Sequence, residues 1–202
     1  MVKRFILLST TARYGVQKVR EPIRETAPEK GNSNYADLKM TSEKIMQKEF
    51  KKSETIPVIA RVAPIYDAEY TQNLRDRVFD AKENVAYIFN DGEYGFSFCC
   101  VFNLIDFING IINVPTGRYE GIYNLADSRL ITAKEIIDYE KEHHRIGAVI
   151  QKSPGMGISI NKGKMKTDYR YFDPSITFNN WNIDNTRAKR IAPFRWTLSN
   201  TK

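Results

Sequence analysis

The sequence lacks a glycine-rich turn able to cradle a phosphate. A pyrophosphate-binding turn needs closely spaced glycines between a strand and a helix, so that the backbone can approach, and an acidic residue about 20 positions on. The 11 glycines of this 202-residue chain supply none. Gly92 and Gly95 sit in a turn with Phe98 at the third position, and Gly155-Met-Gly157 follows Pro154. From Gly157 to Lys164 the spacing fails and Met165 stands where a phosphate loop carries Ser or Thr. Cysteine is equally scarce. Cys99 and Cys100 are adjacent, which excludes a disulfide framework and reads as a buried pair of reduced thiols. No apolar run approaches the roughly 18 residues that span a bilayer, and Val2–Leu8 is too short for a signal peptide and has no small-residue cleavage site. These features set the expected compartment as the cytoplasm, with no membrane partner. The two histidines, His143 and His144, are neighbours near a helix end, where their side chains diverge and suit the helix dipole; no metal site is expected.

Charge narrows the reading less. The net charge is +7, but the basic residues are spread out with no block of five or six, which argues against a nucleic-acid-binding role. The densest basic stretch, Gly163–Arg170, reads as a solvated loop, and the aromatic stretch Tyr169, Tyr171, Phe172, Phe178, Trp181, Phe194 and Trp196 as the packing of a small lobe. At 42% apolar and 12% aromatic, the chain has the material for a real core.

What is present is organised around Val2–Lys39. Its start, Val-Lys-Arg-Phe-Ile-Leu-Leu, is a short apolar run without alternation, the pattern of a strand buried on both faces, and it ends in Ser9, Thr10 and Thr11. A polar loop over 16–34, with Pro22, Pro28 and Gly31, leads to Asn32 or Ser33 as a helix cap, and Tyr35–Lys52 reads as a helix. Residues four apart share a helix face, so Tyr35 and Lys39 project together. If the hydroxyls at the strand end meet that face, a phenol, an ammonium and an alcohol converge. Spacing alone is weak. With 11 tyrosines and abundant lysine, about one Tyr-x-x-x-Lys match arises by chance, and Tyr14 with Lys18 is a second match to which no catalytic role is given.

The arrangement is more specific than the spacing. An apolar strand, Ser9-Thr10-Thr11, Tyr14-Gly15, Glu25 in the loop, then Tyr35, Lys39 and Glu43 resembles the active-site half of the extended short-chain dehydrogenase/reductase family, the NAD-dependent epimerases and dehydratases of nucleotide sugars. The resemblance continues through Arg61, which closes the next strand, Cys100-Val-Phe-Asn-Leu104, and Gly121-Ile-Tyr-Asn-Leu-Ala126. It implies an α/β fold: a partial Rossmann-like, doubly wound parallel sheet, its second half, with a small mixed α/β substrate lobe. The implied division is 1–66 plus 97–115 for the remnant of the NAD(P)-binding domain and 67–96 plus 116–202 for the substrate lobe.

The same resemblance implies roles. Thr10, Tyr35 and Lys39 fall on the catalytic positions, Tyr35 as base. Ser9, Tyr35, Lys39 and Pro64 would face NAD(P), and Thr10, Thr11 and Tyr66 a sugar or nucleotide-sugar substrate. The resemblance begins at the family's fifth strand, so the chain is expected to be inactive alone, with a complementing N-terminal polypeptide or a homo-oligomer covering the strand edge. The alternative is a non-catalytic interaction protein or truncated remnant that keeps the fold. Two departures favour it: Asp67 stands where the family has glycine, and Phe96 about where it has a phosphate-binding arginine.

Further along, Ile56–Ala63 reads as a buried strand and Thr71–Lys82 as a helix. Val85–Phe89 and Gly95–Val101 flank Asn90-Asp91-Gly92, the signal of a hairpin. Asn103–Asn113 reads as a helix apolar nearly all round, Gly121–Ala126 as a strand, and Thr132-Ala-Lys-Glu135 as a capping box opening a helix to about His144. Ala148–Gln151 reads as a short strand, and Asp184–Arg190 resembles the family's short terminal helix.

Overall fold

The computed structural model describes residues 2–15, 21–31, 33–80, 85–115, 119–152 and 182–201. The basic stretch at 163–170, Gly155–Gly157, Lys18 and the aromatic residues from Tyr169 to Trp181 lie outside the described residues.

Three strands form the first sheet: β1 (Arg4–Thr10), β2 (Ile56–Val62) and β8 (Gly121–Leu125), all parallel, in the order β1-β2-β8. Between β1 and β2 runs α1 (Asn34–Phe50), capped by the Ser33 hydroxyl accepting from the Ala36 amide. The Phe5 and Phe50 rings meet with centroids 5.2 Å apart at one end, and Ser9 bonds Glu43 nearer the other. Helix α1 therefore runs antiparallel to β1, as a crossover between parallel strands requires. Arg4 ↔ Ile56 through Thr10 ↔ Val62 is the β1–β2 register, so the strands end level and their carboxyl ends share one rim. The other face is covered by α3 (Val101–Asn113), whose Leu104, Phe107 and Ile111 pack with Val58, Ala60, Tyr123 and Leu125 in the first core.

A second core lies under the remaining elements. It gathers Tyr66 of β3 (Ile65–Tyr66), Leu74 of α2 (Gln72–Arg75), Phe79 of β4 (Phe79–Asp80), and Ala86 of β5 (Val85–Phe89). Phe96 of β6 (Gly95–Phe96), Cys100 of β7 (Cys99–Cys100) and Ile131 of β9 (Ile131–Thr132) join it, with Ile136 and Ile137 of α4 (Ala133–Glu142). Strand β5 sits between antiparallel β4 and parallel β10 (Ala148–Lys152). The capping box is formed in both directions between Thr132 and Glu135, and α4 stops at Glu142 with His143 as its C-cap.

Three expectations need correction. The helix over Thr71–Lys82 is one turn, Gln72–Arg75. Val78 and Phe79 are needed in the second core, and the Val78 carbonyl accepts from the Tyr87 amide, so the chain straightens into β4. The turn at Asn90–Gly92 exists, with positive φ at Asn90 and Gly92, but its flanking strands do not pair with each other. The Gly92 and Tyr94 carbonyls accept from Lys134 and Ala133 instead, and β6 pairs with β9. Gly121–Leu125, assigned from the sequence to the substrate lobe, is the third strand of the first sheet. Buried on both faces and lacking an outward polar alternation, it has the composition of a parallel-sheet strand. Near the end of the chain, Asp184–Arg190 contains only a single tight helical turn, Ala188–Arg190.

Candidate active site

The rim at the carboxyl ends of β1 and β2 collects the residues singled out from the sequence. Tyr35 and Lys39 occupy the first two turns of α1, with the Lys39 ammonium 5.8 Å from the centre of the Tyr35 ring. Lys39 Nζ donates to the Leu8 carbonyl at 3.0 Å, which fixes this helix face over the end of β1. Tyr35 is 53% exposed, so its phenol stands open to a ligand. Thr10 is the last residue of β1, two beyond Leu8. It is nearly buried, and its hydroxyl accepts from the Ala12 amide, capping the tight turn Thr11–Tyr14. The structure thus brings Tyr35 and Lys39 onto one exposed face at the strand end where Thr10 lies.

Other predicted residues are placed differently. Ser9 is buried and donates to Glu43. Tyr66 is fully buried, and its hydroxyl donates to Asp127 at 2.6 Å, leaving it no open side toward a substrate. Thr11 is half-buried. Pro64 is half-buried beyond the end of β2, with its carbonyl held by the Cys99 amide. Phe96 is in the second core. Tyr14 is buried too, its hydroxyl donating to Asn124 Oδ1 at 2.6 Å and accepting from Arg61 at 2.8 Å, an architectural role.

Beneath the exposed face is an ion cluster whose role sequence reasoning missed. Glu43, one turn past Lys39, is 2% exposed and accepts from Ser9 of β1, Arg13 of the tight turn, and Arg61 of β2. Arg13 also pairs with Glu29, and Arg61 reaches the Glu25 carbonyl at 2.8 Å. The Glu25 carboxylate in turn accepts from the Asn124 amide of β8. Burial pushes the Glu43 carboxyl up, but hydrogen bonds from Arg61, Arg13 and Ser9 outweigh it and hold the group below its ordinary value. One carboxylate thereby locks helix, turn and two strands together. The resemblance includes Glu43 and Arg61, but nothing local in the sequence shows that they meet.

A second buried carboxylate, Asp127, just past the end of β8, accepts from Tyr66, from the Cys100 amide at 2.8 Å and from Asn103 Nδ2 at 2.8 Å. Burial raises it to about 6 despite these bonds. It borders a crevice with Ser97, Arg129 and Asn185 that includes none of Thr10, Tyr35 and Lys39. Among the described residues no cluster of metal-ligating side chains occurs, and no helix is long and apolar enough to cross a membrane.

No protein-family model matches the sequence, and no curated protein does. Solved structures match the fold. The UDP-glucuronic acid 4-epimerase from Bacillus cereus, in complex with NAD, is 16% identical with a TM-score of 0.66 over 96% of this chain and 56% of its own. The UDP-glucose 4-epimerase from Thermotoga maritima, with UDP-glucose, is 18% identical with a TM-score of 0.60, covering 94% of this chain and 57% of that one. The dTDP-glucose 4,6-dehydratase from Bacillus anthracis, in complex with NAD, is 17% identical with a TM-score of 0.60, covering 97% and 57%. The chain therefore has the Rossmann-like α/β fold of part of these enzymes, and it spans little more than half the length of each.

Proposed function

We propose that this chain carries the proton-transfer and substrate half of an NAD(P)-dependent epimerase or dehydratase acting on a nucleotide sugar, an isomerase- or lyase-type step of carbohydrate metabolism. The observation that carries the reading is the pairing of exposed Tyr35 with Lys39 at the carboxyl end of β1, where ligands of open α/β sheets bind. Neighbours of the same fold are crystallised with NAD and with UDP-sugars.

Tyr35 is the base. In its phenolate form it takes the proton of a sugar hydroxyl, and the Lys39 ammonium stands beside it. Thr10 holds the sugar hydroxyl in line, and Thr11 lies next to it at the substrate end. The residues that fit a nicotinamide riboside are Tyr35 and Lys39, with Pro64 beyond the end of β2, while Ser9 is buried against Glu43; no glycine-rich strand-to-helix turn for a pyrophosphate occurs among the described residues. When bound, NAD(P) supplies the hydride acceptor that the carbon-bound hydrogen needs. Glu43 and Arg61 do not touch substrate; they tie α1 to β2 and so keep Tyr35 and Lys39 oriented.

A second reading, a non-catalytic protein that keeps the fold for interaction, is favoured by Phe96, which is buried where the resemblance expects an arginine for substrate phosphate. Assays separate the two. The chain, co-expressed with the part of the Bacillus cereus epimerase that it does not span, is incubated with NAD and UDP-glucuronic acid, UDP-glucose or dTDP-glucose. Conversion that falls by about 10²- to 10⁴-fold in Tyr35→Phe supports the catalytic reading. No conversion of any of the three supports the other.

A further inference from the structure

The crevice just past the carboxyl end of β8 measures about 230 Å³. Its walls are the turn over 127–130, Ser97 between β6 and β7, and the segment 182–186. That segment is fixed from several sides. The Ile23 amide donates to the Asn182 carbonyl at 2.8 Å, and the Ile23 carbonyl accepts from the Asp184 amide at 3.0 Å. The Ile183 amide donates to Ser97 Oγ at 2.9 Å, and Asn185 Nδ2 donates to the Ala126 carbonyl at 2.7 Å. Walls held in this way lose little freedom when a ligand arrives.

Two lining side chains are buried with bonding capacity unspent. Ser97 and Asn185 are each 6% exposed. Ser97 Oγ accepts from Ile183, but its own proton has no acceptor among the described residues. Asn185 gives its amide protons to the Ala126 and Asp127 carbonyls, while its Oδ1 accepts from none of the described residues. Buried polar groups are as a rule hydrogen-bonded, so this free donor and free acceptor leave a partner to be supplied. The mouth repeats the pairing. Arg129 spends Nη1 on the Leu130 carbonyl and on Glu135, which leaves Nη2 and Nε. Asp184 accepts from the Thr186 amide on Oδ1 and faces Arg24 at 3.3 Å on Oδ2, which keeps a lone pair. Asp127 is already spent, its two oxygens taken by Tyr66, Cys100 and Asn103.

A donor beside an acceptor is the complement of a hydroxyl group, which gives one bond and takes others. An anion in this crevice would meet Asn185 Oδ1 and the Asp184 carboxylate, and a cation would meet the Arg129 guanidinium. Pro22 and Leu130 add apolar surface for the C–H face of a ring. The volume of about 230 Å³ is below the roughly 300–1,000 Å³ of pockets that enclose a drug-sized ligand, so one ring fits and a whole nucleotide sugar does not.

We propose that this crevice is a saccharide subsite, in which Ser97 and Asn185 bind one hydroxyl of a sugar ring and Arg129 and Asp184 bind a neighbouring one. Thr10, Tyr35 and Lys39 do not line it, so its ring is not the one on which Tyr35 acts. The ribose of a nucleotide and a separate hexose both present such adjacent hydroxyls. The proposal is independent of the chemistry proposed for Tyr35.

The test is saturation-transfer NMR of the 202-residue chain with UDP and with glucose, each alone and without NAD. Transfer to the ribose protons of UDP assigns the subsite to a nucleotide, and transfer to the glucose ring protons assigns it to a hexose. In either arm, Ser97→Ala and Arg129→Gln are expected to weaken binding about three- to tenfold, the worth of one hydrogen bond. Lys48→Gln, which removes one charge from the exposed side of α1, leaves it unchanged. Circular dichroism shows whether Ser97→Ala folds. If it does, that variant decides; if it does not, Arg129→Gln at the mouth decides. Absence of transfer in both arms, transfer that the deciding variant leaves unchanged, or transfer that Lys48→Gln weakens as much overturns the proposal.

Discussion

The Lys39 ammonium lies 3.0 Å from the Leu8 main-chain oxygen, on the side of β1 that faces away from β2. This single contact joins the candidate site to the open sheet edge, because the group proposed to support Tyr35 is also the group that satisfies the edge carbonyl.

The bond is at the surface, and its contribution to stability is small. Lys39→Met is expected to change the unfolding free energy by less than about 1 kcal/mol, and Tyr35→Phe by no more. Urea denaturation with unchanged slope checks both. A loss of several kcal/mol in either variant means that the residue is structural.

Glu43 behaves oppositely. It is buried between Arg13 and Arg61, which are themselves buried. Glu43→Gln leaves two guanidinium groups with no counter-charge from α1, so a loss of about 3–5 kcal/mol is expected. The same denaturation experiment measures it.

Two of the buried carboxylates, Glu43 and Asp127, give opposite pH dependences. Glu43 is held below its ordinary value of 4.5. Its contribution is present above that value and is lost as pH falls through the lower folded one. Asp127 is raised from 3.8 to about 6. The native state then binds the extra proton between those values, so this group's contribution falls as pH rises from about 4 to about 6. The change amounts to about 3 kcal/mol at most. Asp127→Asn is expected to flatten that part of the stability–pH curve while leaving the acid limb from Glu43. Thermal unfolding in a buffer series reads both limbs.

Burial pushes both cysteine thiols up, Cys99 the further. Neither is expected to react with a thiol-specific disulfide reagent at neutral pH while the protein is folded, and both are expected to react in denaturant. Spectrophotometric thiol titration checks this. Fast labelling of the native protein contradicts the burial of β7.

The elements legible in the sequence were those with a local cause. Helix α1 follows from Ser33 and the polar-to-apolar spacing after it, α4 from its capping box, and β1 and β2 from unbroken apolar runs. The Tyr35–Lys39 pairing needed only helical periodicity. What was illegible depends on distant partners. Residues 76–82 have helical composition, but Val78 and Phe79 are claimed by the second core. Asn90-Asp91-Gly92 makes its turn, yet Tyr94 and Phe96 pair with the start of α4 and with β9, far along the chain. Glu43 showed as the third member of the Tyr35–Lys39–Glu43 pattern, with no role attached. Its importance comes from Arg13 and Arg61, and no local pattern records that three elements meet at one carboxylate. Tyr66 matched a substrate position, but its hydroxyl is taken by Asp127, 61 residues on.

The proposed function requires that the Tyr35–Lys39 face receive the nicotinamide end of a dinucleotide. Saturation-transfer NMR of NAD over the 202-residue chain tests it without requiring tight binding. Transfer to the nicotinamide and adjoining ribose protons is expected, lost in Lys39→Ala and reduced in Tyr35→Phe. Absence of transfer to those protons, or transfer unchanged in Lys39→Ala, contradicts it.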